Sequence, residues 1–314
     1  MRDGSKGTLV RILRILQDAG FSLSEVDSED CCLEVVAKKG GTKLLIKTID
    51  NADNERKEAA EDLRSLASAF SASPIIVGQR VQSGPIEEST LYERYGVNVI
   101  SAETFRDVAV SGKLPIVYSK RGGLYFKVDG SALQRLREEK GMSRGELAKK
   151  VGVSAKSVYE YEKGEMGAVL DTVARLEEIL NAGVTEGIDV FEWRCSSEPS
   201  DRSPSGPIAR QLHTKLHQIG CKAIGFNYAP IDVHAGNVGV SFLANDRESG
   251  EGALDKRVET ATELGKLMEV EPVLVTGDTR PRDLDIVVIR IDEVRQLRNL
   301  NDLEHLLDSD KLSC

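Results

Sequence analysis

One stretch constrains this chain more than any other. It runs from Ser131 to Leu180 and reads SALQRLREEKGMSRGELAKKVGVSAKSVYEYEKGEMGAVLDTVARLEEIL. Two short helical patterns meet there across a four-residue turn, Val151-Gly152-Val153-Ser154. The first runs from Arg144 to Lys150, with Ser143 placed to cap it, and the second from Ala155 to Glu162, with Ser154 placed likewise. Gly152 falls where a tight helix-to-helix turn wants positive φ, which glycine adopts freely. Ala148 falls where the two helices cross, and its small side chain lets the backbones approach. Leu147, Val151, Val153 and Val158 supply the apolar faces between them. Leu133 and Leu136 lie upstream on a helix of their own, and Leu170, Val173, Leu176 and Ile179 recur downstream at spacings of three. The expected product is a compact all-helical module with a helix-turn-helix at its centre.

The run SRGELAKKVGVSAKSVYEYEKG resembles the helix-turn-helix of the Cro and phage-repressor (Xre, Cro/C1-type) family. The resemblance covers about fifty of the 314 residues. Arg144 stands where that family usually carries Gln. The resemblance implies that the second helix enters the major groove of DNA. Ala155, Lys156 and Glu160 then fall at base-reading positions, with Ser154, Ser157 and Tyr159 beside them. Lysine can donate to guanine, glutamate can accept from cytosine, and alanine can meet a thymine methyl. Arg144 and Lys163 are placed to hold phosphates. The resemblance also implies that Arg137, near the end of the first helix, pairs with Glu162 at the end of the recognition helix.

At 314 residues the chain has room for two or three domains. It is 40% hydrophobic and 30% charged, ordinary for a soluble globular protein. The chain has no apolar run long enough to span a bilayer and no secretory pattern at MRDGSKGTLVRIL, so the expected place is the cytoplasm. Cys31, Cys32, Cys195, Cys221 and Cys314 are odd in number and never spaced as CxxC. That pattern argues for free thiols and against a zinc ribbon. A net charge of −9 opposes DNA binding for the chain as a whole, but residues 131–163 hold eight Lys or Arg against five Glu. Screening limits electrostatic reach to about 10 Å, so this local excess outweighs the chain total.

Residues 1–112 read as an α/β domain. Its expected elements are a helix from Gly7 to Ala19, strands at Cys31–Ala37 and Leu44–Ile49, and a helix from Asn54 to Phe70. A buried strand at Pro74–Val77, a helix at Glu87–Tyr95, a strand at Val97–Ile100 and a helix at Glu103–Ser111 follow. Residues 113–130 read as a β-hairpin turning at Gly122-Gly123, and residues 131–187 as the helix-turn-helix domain. On the hairpin, Lys120, Arg121 and Lys127 read as a solvated turn, with DNA phosphates as the alternative. Residues 193–207, rich in Ser and Pro, read as a linker.

Residues 208–314 repeat the pattern of the first domain. A helix over Ile208–Ile219 stops at Gly220, a strand covers Val238–Leu243, a helix covers Asp255–Met268, and strands fall at Pro272–Gly277 and Asp285–Ile289. Gly20 precedes Pro74 by 54 residues, and Gly220 precedes Pro272 by 52. The expected fold class is therefore α/β plus all-α. Two restriction-endonuclease-like domains, the second a diverged repeat of the first, flank a Cro/C1-type helical bundle.

The first domain resembles the PD-(D/E)XK nucleases, whose order is α-β-β-β-α-β. That family needs an acid on one strand and an acid-x-Lys triplet on the next, to hold Mg²⁺ and orient water. Lys47 stands where the lysine would and Asp30 is a possible first acid, but position 45 is leucine, and the second copy has no such triplet. Both domains therefore read as degenerate, serving dimerisation or sensing. His213 and His217 lie one turn apart with Cys221 one turn further. They border the stripe Ala209, Leu212, Leu216 and Ile219, and Gly220 breaks the helix before Cys221, so they read as packing and no metal or cofactor is expected.

The layout resembles a group of archaeal helix-turn-helix regulators. The expected function is a sequence-specific, DNA-binding transcriptional regulator, not an enzyme, acting on double-stranded DNA as a homodimer. The alternatives are a nuclease targeted by its helix-turn-helix and a bridging coactivator. Archaeal bridging factors carry an N-terminal zinc ribbon, which this sequence lacks.

Overall fold

Chain order and burial follow from which residues are apolar on which side. A computed structural model describes residues 3–26, 30–120, 122–192, 201–246, 251–277 and 286–311. The N-terminal unit opens with α1 (Asp3–Asp18), then β1 (Ser22–Glu25), β2 (Val35–Lys39) and β3 (Thr42–Asn51). A short 3₁₀ turn leads to α2 (Lys57–Phe70), β4 (Ser73–Val81), β5 (Gly84–Pro85), β6 (Thr90–Arg94), β7 (Val97–Ile100) and α3 (Ala102–Ser111). Strands β8 (Val117–Lys120) and β9 (Gly123–Phe126) form the expected hairpin. Four helices follow: α4 (Gly130–Glu139), α5 (Arg144–Val151), α6 (Ala155–Glu162) and α7 (Leu170–Leu180). The C-terminal unit contains α8 (Pro207–Gln218), β10 (Ala223–Gly225), β11 (Val233–Ala235), β12 (Val240–Ala244) and α9 (Glu251–Met268). It ends with β13 (Glu271–Thr276), β14 (Val287–Arg290), α10 (Ile291–Gln296) and α11 (Leu300–Lys311).

The central strands are apolar on both faces, so each sheet needs two covers. Along β3, Leu44 and Ile46 face one core, shared with Ile12, Leu16 and Phe105 of α1 and α3. Leu45, between them, faces a second core with Leu63, Leu66 and Phe70 of α2. In the C-terminal unit Phe242 packs under Leu212 and Leu216 of α8, and Leu303 and Leu307 of α11. Its neighbour Leu243 turns instead into the layer that Leu45 occupies, beside Val258, Leu264 and Met268 of α9. The two units thus share one apolar layer, with α2 and α9 between their sheets.

The strand orders agree. The N-terminal sheet runs β1-β2-β3-β4-β7 before continuing through β6, β8 and β9, and the C-terminal sheet runs β10-β11-β12-β13-β14. In both, two antiparallel pairings precede two parallel ones, and a helix connects the third strand to the fourth. Each connecting helix is followed by a left-handed non-glycine residue, Ser71 or Glu269.

Several expectations need correction. The segment Glu87–Tyr95 is not a helix. Thr90 and Tyr92 are buried while Leu91 packs on the other side, and Tyr95-Gly96, both at positive φ, turn β6 back antiparallel to β7. Period-2 alternation outweighed the helix propensity of the glutamates. The strand expected from Cys31 starts only at Val35, because Cys32 donates its backbone N–H to Tyr228 of the other unit. Leu170 is 62% exposed, whereas Thr172, Val173, Leu176 and Leu180 face inward. Steps of three residues lag a 3.6-residue turn by about 60° each, so the stripe drifts off its face. Strands β1, β10 and β11, and helices α10 and α11, had no counterpart in the sequence reading. Arg121, Cys195, Asp285, Cys314 and residues 193–200 of the expected linker lie outside the described residues.

Polar contacts fasten the shared layer. The buried Asp62 carboxylate on α2 accepts from the backbone N–H of Asn227 at 2.7 Å and of Tyr228 at 2.8 Å. Burial pushes its pKa up, against the lowering effect of those two donors. Lys43 donates to the carbonyl of Met268 at 2.9 Å and pairs with Glu269, closing the other end. His234 of β11 is 3% exposed, meets the Phe70 ring edge-to-face at 5.3 Å, and lies 3.0 Å from the Ser241 hydroxyl.

Burial pushes the His234 imidazole down to about 4. The unfolded chain takes up that proton near pH 6.5 and the folded chain does not, so stability rises with pH between the two values and is lost as pH falls through them. Acidifying from pH 7 to pH 5 is expected to remove ~2 kcal/mol through this residue alone. Chemical denaturation of wild type and His234→Gln at both pH values tests this. Parallel pH dependences would refute it.

Candidate nucleic-acid interface

The helix-turn-helix folds as its local sequence dictates. The Ser143 side chain accepts from Glu146 N–H and the Glu146 carboxylate returns the bond to Ser143 N–H, a complete capping box. Gly152 takes the left-handed conformation at φ 86° and ends α5. Ser154 caps α6 by accepting from Ser157 N–H at 2.9 Å. Leu133, Leu147, Ala148, Val151, Val158 and Leu176 close the core beneath.

Residues carried over from the resemblance divide by exposure. Ser154, Ala155, Lys156, Tyr159 and Lys163 are exposed on one side of α6, and Ser157 and Glu160 are half-buried at its margin. Arg144 is not a free arm. Its Nε donates to Glu162 Oε2 at 2.6 Å, and its guanidinium lies 5.3 Å from the centre of the Tyr159 ring. Lys163 lies over the same ring at 4.8 Å. Contact with Tyr159, then the charge of Glu165, raises its pKa. Tyr159 thus sits between two cations at the edge of the exposed face.

Arg137 and Glu162 form an ion pair. Arg137 Nε donates to Glu162 Oε1 at 2.5 Å, and the side chains are 8% and 2% exposed. Arg137 also donates to the carbonyl of Met142 at 2.8 Å, tying the end of α4 to the approach to α5. Glu162 therefore joins α4, α5 and α6 through one carboxylate. Gly130 was missed in the sequence, where Asp129-Gly130 resembles an ordinary turn. A Cβ there would lie 2.3 Å from the Glu162 carbonyl oxygen, so only glycine lets α4 start against the end of α6.

The hairpin fixes the module to the N-terminal sheet. Strand β8 extends that sheet beside β6, and Phe126 bridges to Ala168. After α7 the chain returns, and Phe191 packs between Phe21 and Phe105. Lys120 lies over the Tyr118 ring at 5.2 Å, and Lys127 pairs with Glu186 at 3.0 Å.

The nuclease-like positions are taken up by contacts of the fold itself. Lys47 Nζ bonds Glu55 Oε1 at 3.1 Å, and the Glu55 side chain is 2% exposed. Glu34 accepts from the Thr48 backbone and hydroxyl. Asp30 is 79% exposed and paired with Arg56, and Leu45 is buried. In the C-terminal unit Cys221 turns from the histidines to donate to Asn237 at 2.8 Å, and burial raises its thiol to about 11. Asp201 meets His213 and His217 instead. Among the described residues, no helix is long and apolar enough to cross a membrane.

Residues 5–115 match the model of the PD-(D/E)XK superfamily domain, and residues 133–186 match that of a helix-turn-helix. The chain is 31% identical to a Thermococcus gammatolerans protein over 95% of its own length and 94% of the relative's. It is 32% identical to a Thermococcus kodakarensis protein (94% and 92% covered) and to an Archaeoglobus fulgidus protein (90% of each). All three carry the name "Putative HTH-type transcriptional regulatory protein". The chain belongs to this archaeal family. The match runs nearly the full length of all three relatives.

Truncating Arg137 to Ala would leave the Glu162 carboxylate desolvated on that side. The expected cost is ~3–5 kcal/mol to the helical module. Hydrogen exchange of amides in residues 130–184 measures it. A loss below ~1 kcal/mol would rank the pair with exposed surface ion pairs.

Proposed function

We propose that the protein is a sequence-specific transcriptional regulator that lays α6 in the major groove of double-stranded DNA. The observation that carries this reading is the exposed face Ser154, Ala155, Lys156, Tyr159 and Lys163, held on a module whose three helices are tied through Glu162. A reading helix must be rigid to discriminate bases, and its face must be open to solvent. Ala155, Lys156 and Glu160 read base edges, with Ser154, Ser157 and Tyr159 beside them. Lys163 and the remaining donors of Arg144, both steadied by Tyr159, hold phosphates.

One recognition helix reads only a few base pairs, so two copies act together on half-sites about one turn apart. The homodimer surface lies away from the layer shared by α2 and α9, which the chain already fills with its own second unit. The common strand order and the left-handed residues after both helices support reading residues 208–314 as a diverged repeat of 1–112.

Selection of binding sites from random duplexes, followed by titration, tests the assignment. The selected operator is expected to contain two related half-sites. Lys156→Ala is expected to lose ~1–3 kcal/mol and relax preference at one base pair. Lys163→Ala is expected to weaken all sequences alike and to reduce the salt slope by about one phosphate. Unchanged affinity and preference in Lys156→Ala would refute the reading face, and a single unrepeated site would refute the pairing.

The superfamily match of residues 5–115 favours a nuclease as the second reading. The donor set argues against it, because Glu55 and Glu34 are engaged within the fold and Leu45 replaces the required carboxylate. Supercoiled plasmid is expected to stay intact with Mg²⁺ or Mn²⁺. Cleavage that Lys47→Met abolishes would establish the nuclease.

A further inference from the structure

We propose that Asp201, His213 and His217 bind one divalent transition ion of the zinc class. The histidines lie one turn apart on α8, and Asp201 comes from the segment leading into that helix. His213 Nε2 is 2.8 Å from Asp201 Oδ1, and His217 Nε2 is 3.1 Å from Asp201 Oδ2. The two Nε2 atoms are 3.2 Å apart. No other described group of three His, Cys, Asp or Glu side chains brings its ligand atoms together in this way.

The geometry points to a cation because one ligand atom from each of three side chains converges on one point. The same distances also suit a hydrogen-bonded His-Asp-His cluster, each Nε2–H donating to its own carboxylate oxygen, and metal titration separates the two. Two nitrogens at ~2.0–2.1 Å from a tetrahedral ion stand about 3.3 Å apart, close to the separation seen. Two imidazoles and a carboxylate suit zinc and its first-row neighbours better than magnesium or calcium, which prefer all-oxygen shells. Three protein ligands leave the fourth position to water or a further donor.

The site is also built. The His213 side chain is 10% exposed, held by the stripe it borders, while His217 and Asp201 are half-exposed and open an entry path. Arg202, next to Asp201, pairs with Glu61 of α2, so the ligand-bearing segment is anchored on its far side. A bound ion would fasten that segment to α8 and couple metal occupancy to the stability of the C-terminal unit. The inference is independent of the DNA-reading face.

Full-length protein stripped with a chelator is titrated with Zn²⁺ and with Co²⁺. One ion per chain is expected. Co²⁺ should give the visible bands of a four-coordinate ion without the near-ultraviolet charge transfer of thiolate ligation. Zn²⁺ should raise the unfolding temperature of the wild type. His217→Ala and Asp201→Asn, at exposed positions that leave the metal-free fold in place, should each lose affinity by more than about tenfold, the least expected even of an outer-shell partner. Both should also lose the thermal shift. Absence of stoichiometric binding, a thiolate spectrum, or wild-type binding in both variants would overturn the proposal.

Discussion

A sheet that is apolar on both faces cannot stand with one cover, and this constraint organises the molecule. Each α/β unit covers its outer face with its own helices, α1 and α3 in one and α8, α10 and α11 in the other. Each inner face carries a single helix, too little to exclude water from a five-strand surface. The two units solve this together by packing α2 and α9 into one layer. The polar fastening of Asp62 to the 227–228 backbone and of Lys43 to the end of α9 then fixes how the units face each other.

The helical module depends on that body without sharing its core. Strand β8 continues the N-terminal sheet, Phe126 bridges to Ala168, and Phe191 returns to lie between Phe21 and Phe105. The direction of α6 is therefore set by the N-terminal sheet through several hydrogen-bonded strands. Inside the module a single carboxylate, Glu162, holds Arg137 and Arg144 from two other helices. A buried ion pair of this kind specifies arrangement more than it adds stability. The same use of charge appears at Lys47, where a lysine in a nuclease-like position closes on Glu55 within the fold.

Much of this was legible in residue order. The capping serines 143 and 154, the turn glycine 152 and the apolar spacing around them determined the helix-turn-helix, because those signals act over one or two turns of chain. The parallel strand runs 74–77 and 97–100 were readable because full burial leaves continuous apolar runs. Tertiary structure alone decided the rest. Within the segment 87–95, residues Thr90–Arg94 became β6 because a neighbouring strand was available to pair, and Leu170 fell outside because helix phase, not spacing by three, sets the buried side. Gly130 matters only because α6 ends against it. Asp201 joins His213 and His217 across a separation with no periodicity to betray it. Local patterns record what neighbours along the chain must do; contacts between distant segments depend on packing that no short window contains.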